Sequence, residues 1–148
     1  MQIKDTTMSD FVIDPHLSSG EDVICELPLS RFILGRNGLY PWVLLVPRQN
    51  NLREIIDLSE EDSVQLMHEI RMVSHIMQDV FKPVKINVAQ LGNLTPQLHV
   101  HIIARYTNDP AWPGAVFGKE GNLERSSQER LELLTTIRQA VNNNGFTL

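Results

Sequence analysis

The stretch Gln97-Leu98-His99-Val100-His101-Ile102-Ile103-Ala104-Arg105 decides how this chain is read. Polar and apolar residues alternate through His101, the period of a β-strand with one wet face and one buried face. Such a strand turns Gln97, His99 and His101 to one side and sends Leu98, Val100 and Ile102 into a core. Two imidazoles on one surface set side by side two groups that exchange protons near neutral pH. Proton transfer, nucleophilic attack and metal binding are all open to such a face, and the flanking sequence has to choose among them.

Upstream, Lys85 to Gln90 alternates again and predicts a strand. The short Leu91-Gly92-Asn93-Leu94-Thr95-Pro96 loop makes it an antiparallel neighbour of the histidine strand. Before it, Ser59 can cap a helix whose first turn carries Glu60, Glu61 and Asp62, where negative charge meets the positive helix end. Leu66, Ile70, Val73, Met77, Val80 and Phe81 follow at helical steps, and the helix stops near Lys82-Pro83. Further back, Asp22 to Glu26 and Ser30 to Leu34 read as two strands about a turn at Leu27-Pro28-Leu29. Gly35-Arg36-Asn37-Gly38 is a dense turn signal. Trp42-Val43-Leu44-Leu45-Val46, ended by Pro47-Arg48, is the near-continuous apolar run of a strand buried on both faces. Downstream, Tyr106 to Gly114 is irregular and aromatic. A last helix is expected over about 123–143, with Ser126 and Glu129 at capping-box spacing and Leu131, Leu134, Ile137 and Val141 as its apolar stripe. Strands, helix, strands, helix give an α+β fold with a mainly antiparallel sheet. Residues 1–10 read as a flexible leader and 11–148 as one domain, with its core at about 22–113.

The 148 residues are 42% hydrophobic and 21% charged, as in an ordinary globular domain. A net charge of −5 lacks the basic footprint of a long nucleic-acid binder, though a few local donors suffice for a small phosphorylated ligand. No apolar run reaches the roughly 18 residues a membrane helix needs. The single Cys25 and the absence of a secretory h-region point to the cytoplasm. Zinc wants three or four ligands and the chain has one cysteine, so neither a dedicated metal site nor a cofactor is expected. His68, His75 and His16, the last in a turn after Asp14-Pro15, read as solvated surface. Trp42 reads as core more than as a base platform.

From about Asp22 to Pro113 the chain resembles the histidine-triad (HIT) superfamily of nucleotide hydrolases and transferases, and among them bacterial proteins with glutamine at the first histidine. The family signature alternates three histidines with apolar residues. Here Gln97, His99 and His101 fill those places, and every apolar place is filled. The Val43-Leu44-Leu45-Val46-Pro47-Arg48 run, the helix after it, the strand carrying Asn87 and the later Trp112-Pro113 stand in the family's order.

The resemblance implies a HIT-like fold: a five-stranded antiparallel sheet, a long helix, usual dimerisation, and here an extra C-terminal helix. It also implies a reaction on a small nucleotide. His99 would attack the α-phosphate of a nucleoside polyphosphate, phosphoramidate or nucleotidyl conjugate, and water would then cleave the nucleotidyl-histidine. The main-chain carbonyl of Gln97 would hold the proton of the second His99 nitrogen, and His101 would donate to a non-bridging oxygen. The Gln97 amide can donate a hydrogen bond but cannot transfer a proton. Asn87, Gly92, Asn93 and Thr95 fall where phosphate or ribose contacts are expected. Asn37 falls in the ribose and base loop unless it only serves its turn, and Trp112 can stack on a base. Two other readings remain open: a catalytically weak nucleotide-binding HIT-fold protein, and an interaction module in which both histidines are structural.

Overall fold

The computed structural model describes residues 10–145. Apart from Asp10, the leader expected over residues 1–10 lies outside the described residues. The elements are β1 (Val23–Glu26), β2 (Ser30–Leu34), β3 (Trp42–Pro47), α1 (Glu60–Phe81), β4 (Lys85–Ala89), β5 (Val100–Arg105) and α2 (Ser127–Asn143). The strands form one five-stranded sheet in the order β1-β2-β3-β5-β4, antiparallel throughout. This is the expected α+β architecture.

Local chemistry sets the helix ends. The Ser59 side chain accepts from the Asp62 amide, and α1 closes with Lys82 in the left-handed region at φ 49 just before Pro83. In α2 Ser126 and Glu129 form a reciprocal capping box, so the helix begins there and not near residue 123. Leu123 stays exposed, its amide held by the Asn37 side chain. Leu131 is also exposed, so the buried stripe of α2 is Leu134, Ile137 and Val141 only.

Alternation along the strands divides the sheet's two faces. Phe32, Leu34, Val43, Leu45, Val100, Ile102 and Ala104 pack under α1 and α2 in the main core. On the opposite face Ile33, Leu44 and Val46 are covered by Leu17, with Phe11 and Ile13 beside it. That second layer explains why β3 is apolar at nearly every position. The N-terminal segment 10–18 is its cover, and it lies on the histidine face.

One buried charge braces the two layers. Glu69 of α1, 2% exposed, accepts from the Leu29 amide at 2.7 Å and the Ser30 amide at 3.0 Å. A buried carboxylate persists only when hydrogen-bonded, and here it ties the β1–β2 turn to the helix. Its place within a helical run of mostly apolar buried residues carried no distinct signal.

Candidate active site

β5 is shorter than the alternation suggests. The ladder to β3 ends at the Leu45–Val100 pair, and the Leu98 amide donates to the Leu52 carbonyl at 2.9 Å instead. Residues 97–99 therefore precede the strand, and Gln97 does not share a strand face with the histidines. Its side chain turns to the N-terminal segment, where Oε1 accepts from the Asp14 amide at 2.8 Å and Nε2 donates to the Val12 carbonyl at 2.9 Å. Both ends of the amide are thus engaged by main chain.

The main chain of Gln97 does something separate. Its carbonyl lies 2.6 Å from His99 Nδ1. A carbonyl only accepts, so Nδ1 carries the proton and Nε2 holds the lone pair. His99 is 5% exposed and packs edge-on against His101, with ring centroids 4.8 Å apart.

His101 is fixed in the opposite tautomer. The Trp42 indole Nε1, a donor only, lies 3.0 Å from His101 Nδ1, so His101 carries its proton on Nε2. Burial, and then the neighbouring His99, push the His101 pKa down to about 4, and the ring is neutral at pH 7. Phe117 closes over it at 4.9 Å and meets Trp42 at 5.6 Å. One imidazole thus presents a lone pair and the next a neutral N–H donor, the complementary pair a nucleophilic attack on a phosphoryl group needs.

The two rings open into a cleft of about 270 Å³ whose lining includes Leu44, Trp42, Thr95, Asn37, Arg36 and His16. Gly35 and Arg36 also border a second cleft of about 320 Å³ that carries Arg125 and Arg130. Of the residues singled out in the sequence, His99, His101, Thr95 and Asn37 come together here. Asn37 serves its turn as well, accepting from the Leu39 amide at 3.0 Å.

The other candidates sit elsewhere. Asn87 is bound through its Oδ1 to Arg105 Nη1 at 2.8 Å. Trp112 lies against the same guanidinium, 5.7 Å from its ring centre. Gly92, at φ 81, shapes the loop after β4; neither it nor Asn93 lines the cleft. Arg105 itself, 1% exposed, is clamped by Asp109 through bonds of 2.7 and 3.0 Å and donates to the Gly114 carbonyl. Its partner holds Asp109 well below the carboxylate range, at about 2.

Sequence reasoning missed three residues of the site. Phe117 stands in an irregular loop with no periodicity to place it. Trp42 was read as core, yet it is half-buried and bonded to His101. His16 was read as open surface, and its side chain is indeed 83% exposed, but it stands at the mouth of the histidine cleft. Among the described residues no three His, Cys, Asp or Glu side chains converge as a metal-holding group, and no helix is long and apolar enough to cross a membrane.

A five-stranded antiparallel sheet presenting two oppositely polarised imidazoles beside a cleft defines the class of protein to which this chain is compared. The sequence profile of the HIT domain matches residues 17–108, and the chain belongs to that family. A histidine triad protein from Bradyrhizobium japonicum is similar at 43% identity and TM-score 0.83, covering 88% of this chain and 98% of its own. One from Marinobacter aquaeolei VT8 shows 35% identity and TM-score 0.84, covering 90% and 97%. One from Sinorhizobium meliloti 1021 shows 32% identity and TM-score 0.85, covering 90% and 99%. No curated protein matches the chain. Members of the HIT family are generally nucleotide hydrolases or transferases, and membership supports a function of that type with a small nucleotide as partner.

Proposed function

We propose that the protein is a nucleotide hydrolase or nucleotidyl transferase that works through a covalent nucleotidyl-His99. The observation that carries this reading is the 2.6 Å bond from His99 Nδ1 to the Gln97 carbonyl, which leaves Nε2 as the attacking lone pair beside a cleft. His99 attacks the α-phosphorus of a nucleoside polyphosphate, phosphoramidate or nucleotidyl conjugate. His101 Nε2–H donates to a non-bridging oxygen as charge develops there, a contact of the kind worth about 3–4 kcal/mol in the transition state. Thr95 and Asn37 border the same space and supply further polar contacts. Water then cleaves the phosphorus–nitrogen bond.

The test is to incubate the protein with a panel of adenylyl and guanylyl conjugates, quench, and search by mass spectrometry for nucleotide mass on the peptide holding residues 97–105. The adduct and turnover are expected in the wild type and absent in His99→Ala. Unchanged turnover in that variant rejects the role. A second reading, a nucleotide-binding protein with weak catalysis, is favoured by one observation: the Gln97 amide, at the place of a triad histidine, is engaged by main chain. Binding of AMP or GMP without turnover of any conjugate would establish it.

The working unit we infer is a cytoplasmic homodimer of a single domain over residues 11–148. The dimer is supported by β4 standing at the edge of the sheet among the described residues, with Val88 48% exposed. Sedimentation of the purified chain reads this directly.

A further inference from the structure

We propose that His16 is the general acid of this site, protonating the leaving group, and that Gln97 is the residue that positions it. The inference rests on the nucleotidyl-transfer reading above and adds to it the group that the Gln97 place cannot supply. His16 borders the same cleft as His99 and His101. Its Nδ1 lies 2.9 Å from Asp14 Oδ1, and its amide donates to that oxygen at 2.8 Å. A carboxylate accepts, so Nδ1–H stays on Asp14 and Nε2 is the nitrogen left to work. The bonds from His16, backbone first and ring second, hold the Asp14 carboxyl below its ordinary range, so it stays ionised as the acceptor that orients the ring.

The turn that carries His16 is fixed with unusual thoroughness for an exposed side chain. Gln97 holds it through the Asp14 amide and the Val12 carbonyl. Arg36 Nη2 donates to the Pro15 carbonyl at 2.8 Å, and the Leu17 amide closes the turn on the Asp14 carbonyl at 2.9 Å. Leu17 then anchors it in the apolar layer over β3. The same residue thus orients two imidazoles: its carbonyl sets His99, and its side chain sets the turn of His16.

The steps balance. His99 Nε2 bonds to the α-phosphorus as the bond from phosphorus to the leaving oxygen breaks. That oxygen keeps the electron pair and takes the proton from His16 Nε2. In the second step water attacks phosphorus, neutral His16 accepts the water's proton, and the phosphorus–nitrogen pair returns to His99. His16 ends as it began.

The experiment compares wild type, His16→Gln and Gln97→Ala on two aryl esters of AMP, one with para-nitrophenol and one with para-methoxyphenol as leaving group. An acidic phenol leaves without help, whereas a weakly acidic one needs the proton. His16→Gln is expected to lose about 10²–10⁴-fold on the methoxyphenyl ester and only a few-fold on the nitrophenyl ester. Gln97→Ala is expected to show the same split in milder form. Equal loss on both esters, or loss on neither, overturns the role of His16 while leaving His99 as nucleophile. A wild type that turns over neither ester and forms no adduct overturns the nucleotidyl-transfer reading, and this role with it. Folding does not confound the result, because the His16 side chain is 83% exposed and a loss of folded protein in either variant would lower the rates on both esters alike.

Discussion

Trp42 Nε1 donates to His101 Nδ1 across 3.0 Å, and this one bond decides which nitrogen of His101 carries the proton. Trp42→Phe keeps an aromatic ring against Phe117 but removes the donor. His101 is then free to place its proton on Nδ1 and lose its donor toward the phosphate. The expected outcome is a fall in kcat of about tenfold, below the 10²–10³ of a donor removed outright, with nucleotide affinity little changed. Nitrogen-15 spectra of the ring should show a mixture of tautomers in the variant and a single one in the wild type.

His101 also links stability to pH. Its folded pKa of about 4 lies below the ordinary histidine value of about 6.5, because burial and His99 disfavour the cation. Between those values the unfolded chain binds a proton that the native ring refuses. Its contribution is therefore fully present above about pH 6.5 and is lost as pH falls toward 4. Urea melts across that window should show stability falling with pH in the wild type and falling less steeply in His101→Gln. Parallel slopes would refute the assignment.

Asp109→Asn would leave the Arg105 guanidinium buried without its anion. Removal of one partner from a buried pair costs about 3–5 kcal/mol, and a loss of unfolding free energy of that order is expected in a denaturant melt. The Asp109 carboxyl, depressed to about 2, contributes stability above its unfolded value and loses it only as pH falls through 2. The wild-type pair should therefore survive conditions that already charge His101.

Asn87 belongs to the same cluster. Asn87→Ala removes one bond to Arg105, worth about 1.5–3 kcal/mol for a charged partner. Calorimetry should find lower stability with nucleotide affinity unchanged. Weakened affinity at unchanged stability would place the side chain in the ligand site instead.

Glu69→Gln swaps one acceptor for an NH₂ that faces a backbone donor, either Leu29 or Ser30. An unsatisfied buried donor costs about 1–3 kcal/mol, so a loss of that size in a denaturant melt is expected. Because Glu69 braces the turn from the helix side, the chemistry at His99 should be untouched.

The chain's own order of residues determined its sheet, its helices and the pair of histidines beside the cleft. The apolar run at Trp42–Pro47 and the alternation that leads into Val100–Arg105 are local properties of the chain, and Ser59 and Ser126 act within three residues of themselves. The bond that fixes the His99 tautomer is likewise short-range, reaching a carbonyl two residues away. Tertiary structure alone decided what Gln97, His16, Trp42 and Asn87 do. Gln97 meets Asp14 across 83 residues, Trp42 meets His101 across 59, and Arg105 draws Asn87 out of the cleft from a neighbouring strand. Such contacts depend on which surfaces the folded layers bring together, and no local period records that. The pairing of the two histidines could be seen from the residue pattern; the place of the proton on His101 required Trp42, a neighbour that only folding supplied.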